Sequence, residues 1–126
     1  MFRNDIRGTL SRFEAPDWDP LVALVGEELA PCFMWMHAIE LEDGEVVHAY
    51  KHVATRRYLH LGETGRAFAF CEPRYRPIPA YEAIQDVFAG WESLLPAPDD
   101  IVAHAALLRA ATRRAEQLDE GALSAE

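Results

Sequence analysis

The chain has 126 residues, half of them hydrophobic, which is enough for one globular domain with its own core. Its formal net charge is −9 and its pI is about 4.9, which argues against general binding to nucleic acids or anionic membranes. The N-terminal residues MFRNDIRGTL lack the apolar segment of a secretory signal, and no apolar run is long enough to span a membrane. With only two cysteines, Cys32 and Cys71, the sequence predicts reduced thiols in a cytoplasmic protein.

One helix is predicted before a β-rich region and two after it. An Asp-Pro pair, typical of a helix start, predicts the first helix over residues 20–30. Apolar residues at helical spacing predict the second over residues 80–95 and the third over residues 100–118. The apolar stripe of the third helix is mostly alanine. We expect residues 119–126 to form a disordered tail that follows a single domain over residues 1–118.

The β-rich region covers residues 34–72 and reads as four antiparallel strands. Asp43-Gly44 and Thr64-Gly65 are placed as two-residue hairpin turns, the first of type I′, with a link at Ala54-Thr55 between the hairpins. Residues 73–79 contain three prolines and are expected to form an extended connector. The predicted fold is therefore α+β: a four-stranded antiparallel meander sheet with the helices packed mainly on one face.

These turns divide the strand residues between two faces. The first face is apolar with three histidines and is expected to meet the helices: Trp35, His37, Ile39, Leu41, Val46, His48, Tyr50, His52, Leu59, Leu61, Phe68 and Phe70. The second face mixes small apolar residues with cations and hydroxyls: Met34, Met36, Ala38, Val47, Ala49, Lys51, Val53, Arg56, Tyr58, His60, Ala69 and Cys71. A solvent face is ordinarily more polar, so we expect something to cover the second face or dock on it.

The main candidate site is on this second face. The predicted register sets Lys51 opposite Tyr58 and His60 beside Ala49, with Arg56 in the adjoining link. Such donors suit a phosphate or carboxylate, and a histidine near a lysine is suited to acid–base chemistry. The alternative is a half-exposed face on which long side chains cover apolar surface.

Three histidines on the first face, His37, His48 and His52, form a second candidate. A zinc site would require the three rings to converge with a further ligand. His48 and His52 are four residues apart on a strand, roughly 13 Å, so spacing alone does not bring them to one metal. We therefore favour structural roles for all three, and we predict no metal and no cofactor.

No phosphate-binding glycine loop, serine-hydrolase motif, zinc-protease motif or Cys-x-x-Cys occurs in the chain. We predict a non-enzymatic binding or protein-interaction module that self-associates through the second face or holds a protein partner there. Its candidate residues are Met36, Ala49, Lys51, Arg56, Tyr58 and His60. The alternative is a small-anion or phosphoester-binding protein, or a metal-independent hydrolase, that uses Lys51, Arg56, Tyr58 and His60.

Overall fold

A computed structural model describes residues 6–10, 16–71, 74–94 and 98–124. The predicted α+β class is confirmed, with helices on both sides of the β-rich region in the chain. The elements are β1 (Ile6–Leu10), α1 (Asp19–Val25), β2 (Phe33–Leu41), β3 (Val46–His52), β4 (Tyr58–Gly62), β5 (Ala67–Cys71), β6 (Arg74–Ile78), α2 (Ala80–Val87) and α3 (Pro98–Ser124). Short 3₁₀ turns at Ala30–Cys32 and Trp91–Leu94 follow α1 and α2.

The strands form a closed antiparallel barrel in the order β1 to β6, where we expected a four-stranded antiparallel meander sheet. β1 closes the barrel by pairing with both β2 and β6. The expected connector is largely strand β6, in which Pro77 lies opposite Phe68 of β5. Among the described residues, β1 pairs with Arg74 and Tyr75 of β6.

Both predicted two-residue turns are wrong by one residue, and for the same reason. In the first hairpin the N–H of Leu41 donates to the carbonyl of Glu45, which leaves a three-residue loop. In the second, the N–H of Gly62 donates to the carbonyl of Arg66. Each loop ends in a glycine with positive φ, Gly44 at 90° and Gly65 at 95°, as in the three-residue hairpin loop with a left-handed last position.

A one-residue change of register moves side chains to the opposite face. The register between β3 and β4 is confirmed, with His48 opposite Leu61, Tyr50 opposite Leu59 and Lys51 opposite Tyr58. The registers of β2 with β3 and of β4 with β5 differ from the predicted ones, so each predicted face contains residues from both sides of the barrel wall. The barrel interior holds one apolar cluster: Ile39, Leu41, Val47, Phe68 and Tyr75. Barrel closure buries Val47, Ala49 and His60 of the expected second face, whereas Met34, Val53, Arg56 and Tyr58 remain exposed.

The larger core lies between the outside of the barrel and the helices. Tyr50, Leu59 and Leu61 pack there with residues of all three helices: Leu21, Leu24, Val25, Ala83, Ile84, Val87, Ala111 and Ala115. Two of the α3 alanines, Ala111 and Ala115, are buried, and their small side chains let α3 approach α1 and α2 closely.

The helix ends differ from their predicted positions. α1 ends at Val25 because Gly26 takes a positive φ of 88°, and α2 ends at Val87. α3 continues to Ser124, so residues 119–124 are helical, where a disordered tail was expected. Asp119 accepts the N–H groups of Ala80 and Tyr81 with its two carboxylate oxygens and so caps α2. None of the helices in the described ranges is both long and apolar enough to cross a membrane.

Candidate functional site

Three of the predicted site residues form a continuous stack. Lys51 and Tyr58 are cross-strand partners, and the Nζ of Lys51 lies 5.8 Å from the centroid of the Tyr58 ring. The rings of Tyr58 and His60, two residues apart on β4, lie nearly parallel with centroids 5.8 Å apart. The sequence places these groups together correctly because β3 and β4 keep the predicted register.

Two aromatic residues that were not among the predicted site residues complete this stack. The Phe70 centroid lies 6.4 Å from that of His60 and 5.0 Å from that of Tyr75. Tyr75 in turn meets His60 edge-on at 5.5 Å. Tyr75 and His60 are buried, whereas Phe70 is 50% and Tyr58 42% exposed. The stack therefore runs from the barrel interior out to solvent.

Met34 extends the exposed part of the stack onto a third strand. It lies opposite Lys51 and is 48% exposed. We call the four residues Met34, Lys51, Tyr58 and Phe70 the mouth surface, since they lie at one end of the barrel around the buried His60. Phe70 was missed because the slipped register placed it on the helix-covered face.

His60 is neutral at physiological pH. Burial, and then the nearby His37, lower the pKa of His60 to about 4. Burial also lowers the pKa of His37. A neutral His60 gives no positive charge to an anion site, and a base with so low a pKa is poorly matched to proton abstraction near pH 7. The pKa shift weakens the predicted roles of His60 in anion binding and hydrolysis.

The other three candidate residues differ in their accessibility. Ala49 lies opposite His60 and is 0% exposed, so it cannot contribute to a docking surface. Met36 lies at a register shift between Trp35 and His37 and is half-buried. Arg56 is exposed in the link between β3 and β4, with a positive φ of 65°. The sequence also predicts an ion pair between Arg57 and Glu72, and Glu72 lies outside the described residues.

The three histidines considered as metal ligands are separated by the barrel wall. His37 lies opposite Ala49 and faces the interior, whereas His48 and His52 face the helices. His52 accepts two turn hydrogen bonds with Nδ1, from the N–H groups of Ala54 and Thr55. Burial, and then His104, lower the pKa of His52. The structure thus assigns His52 a structural role in the turn.

His48 lies in a different cluster with two carboxylates. Its Nε2 is 3.5 Å from Glu63 Oε1 and 3.8 Å from Asp17 Oδ2, and one ligand atom from each residue lies within 4.8 Å of the others. On the other side of the ring, Trp35 Nε1 donates to His48 Nδ1 at 3.1 Å. Because an indole N–H is only a donor, the proton of a neutral His48 is on Nε2, facing the carboxylates. That tautomer cannot ligate a metal through Nε2, so the cluster is better suited to connecting three segments of the chain.

Comparisons with protein-family models, with curated proteins and with solved structures found no match for this chain.

Proposed function

We propose that this chain is a non-enzymatic protein-interaction module that self-associates through the mouth surface. One observation carries the proposal. Three large apolar side chains, Met34, Tyr58 and Phe70, are 42–50% exposed around one end of the barrel. Exposed apolar side chains that adjoin one another, unlike scattered ones, are typical of interaction sites.

The composition of the surface supports a protein interface. Aromatic residues and methionine are enriched in interface cores, where rigid rings bury a large area at low entropic cost. The Lys51–Tyr58 contact adds one cation that is already held against a ring. The buried His60 and Tyr75 support Tyr58 and Phe70 from below through ring contacts.

A small-anion function has less support. Of its four predicted residues, His60 is buried and neutral, whereas Arg56 is exposed in a link outside the stack. Lys51 remains the only cation within the stack itself. Ala49, a predicted interface residue, is unsuitable for testing the interface. Ala49→Arg would place a charge inside the barrel, so a loss of folding would obscure its result.

The test is sedimentation velocity over a wide range of protein concentration. We expect the parent chain to self-associate, and Tyr58→Ser or Phe70→Ser to weaken association at least tenfold, since each removes an aromatic anchor. Tyr81→Ser is the matched control because Tyr81, on α2, is 44% exposed and lies outside the mouth surface.

Equal association of the parent, the Tyr58→Ser variant and the Tyr81→Ser variant would contradict the proposal. So would a parent chain that remains a monomer at every concentration. The far-ultraviolet circular dichroism and melting temperature of each variant establish that a change in association is not a change in folding.

A further inference from the structure

The two ends of the barrel carry opposite charge. In an antiparallel meander the turn between β2 and β3 and the turn between β4 and β5 lie at one end. The links between β3 and β4 and between β5 and β6 lie at the opposite end, where β1 ends and β2 begins. The first end exposes Glu42, Asp43 and Glu63, and we call it the acidic end. Arg66, the cation of these turns, is engaged by Glu45 at 2.9 Å.

On the strands and strand links described at the opposite end, which includes the mouth surface, the charged side chains are cations. This end carries Lys51, the exposed Arg56 and Arg57 of the link between β3 and β4, and Arg74 at the start of β6. We call these four residues the basic end. The sequence between β5 and β6 also contains Glu72, which lies outside the described residues.

This difference in charge limits how two copies can associate through the mouth surface, and the inference rests on the proposed function. In a two-fold symmetric contact each copy presents the same surface, so mouth against mouth would oppose two sets of cations. Like charges placed across an interface disfavour association. The acidic end of a second copy has the complementary charge, and it is present on every chain.

We propose that self-association is head-to-tail: the basic end of one copy receives the acidic end of the next. Met34, Tyr58 and Phe70 supply the apolar contact, while Lys51 and Arg57 face the carboxylates of Glu42 and Asp43. A heterologous contact of this kind does not close at two copies, so the assembly grows with concentration instead of stopping at a dimer.

A mixing experiment tests this arrangement. Lys51→Ser/Tyr58→Ser disables the basic end and leaves the acidic end intact, whereas Glu42→Lys reverses a charge at the acidic end only. We expect each variant alone to associate about tenfold more weakly than the parent. An equal mixture contains one intact end of each kind, so we expect it to form a species of two chains that grows no further.

Glu82→Lys is the control for the acidic-end variant, because Glu82 is exposed on α2 and belongs to neither end. We expect it to associate like the parent. The head-to-tail arrangement is overturned if Glu42→Lys associates like the parent or if the mixture stays monomeric. If Tyr58→Ser abolishes association while Glu42→Lys does not, the interface at the mouth stands and only its head-to-tail arrangement is wrong.

Discussion

At the scale of single residues, the environment of each histidine decides its chemistry. His52 uses Nδ1 as an acceptor for two backbone N–H groups, His48 uses Nδ1 to accept from an indole, and His60 packs among three aromatic rings. The sequence shows the imidazoles but not these contacts, which depend on the local turn for His52 and on neighbouring strands for His48 and His60. A cluster of histidines in sequence therefore becomes three separate structural sites.

We predict that His60 makes the fold sensitive to mild acid. Its pKa is about 4 in the folded chain and about 6.5 when unfolded, so the unfolded state takes up the proton first as pH falls. The contribution of His60 to stability is therefore constant above about pH 6.5, and it decreases between about pH 6.5 and 4 by a total of about 3 kcal/mol.

The measurement is urea unfolding of the parent and of His60→Phe at about pH 7, 5.5 and 4.5. Carboxylates titrate in both proteins, so the difference between the two free energies of unfolding isolates His60. We expect this difference to change in favour of the variant as pH falls, and His60→Gln to show the same trend. A difference that is constant across this range would show that His60 titrates alike in the folded and unfolded chains.

At the scale of elements, local turn chemistry determines how much of the sheet the sequence can predict. The register of β3 and β4 is predictable because Tyr50, Leu59 and Leu61 must share the helix-covered side. The other two hairpins each contain a glycine that suits a two-residue or a three-residue loop. The choice between these loops decides which face each side chain occupies, and the apolar pattern is similar in both registers.

We predict opposite effects for glycine-to-alanine changes in the turns and in α3. Gly44 and Gly65 have positive φ, so alanine there costs roughly 1–2 kcal/mol of backbone strain, although a Cβ would meet nothing within 4 Å. Gly121 lies in α3 and also has open space around its Cβ position, so Gly121→Ala should gain roughly 0.5–1 kcal/mol. Thermal unfolding shows whether each variant is less or more stable than the parent. A Gly65→Ala variant that is more stable than the parent would argue against the three-residue loop.

At the scale of the whole molecule, closure of the barrel is the feature that is hardest to predict from the sequence. β1, with the sequence IRGTL, and β6, with RYRPI, have little alternation of apolar and polar residues, and β6 contains a proline. Each becomes a strand because a neighbour offers unpaired backbone groups, which is a tertiary cause. The same closure covers the interior residues Val47 and Ala49, which a four-stranded sheet would expose.

We predict that breaking β1 opens the barrel and exposes the edges of β2 and β6. Thr9 and Leu10 lie opposite Glu40 and Ile39, and alternate residues of a strand direct their N–H groups to the same neighbour. The N–H group of either Thr9 or Leu10, but not of both, therefore donates to β2. Proline at that position removes a ladder hydrogen bond and lowers the free energy of unfolding by about 2 kcal/mol or more. Thr9→Val and Leu10→Val keep the N–H group and are the matched controls.

Urea unfolding measures the loss in the free energy of unfolding, and amide hydrogen exchange shows which strands lose protection. We expect the more severe proline variant to lose protection in β2 and β6 together, because both edges depend on one strand, and to aggregate more readily since unpaired edges accept other chains. The helix-covered strands β3 and β4 should keep their protection. If protection is lost in β2 alone, β6 does not depend on β1 and the sheet is open at that point.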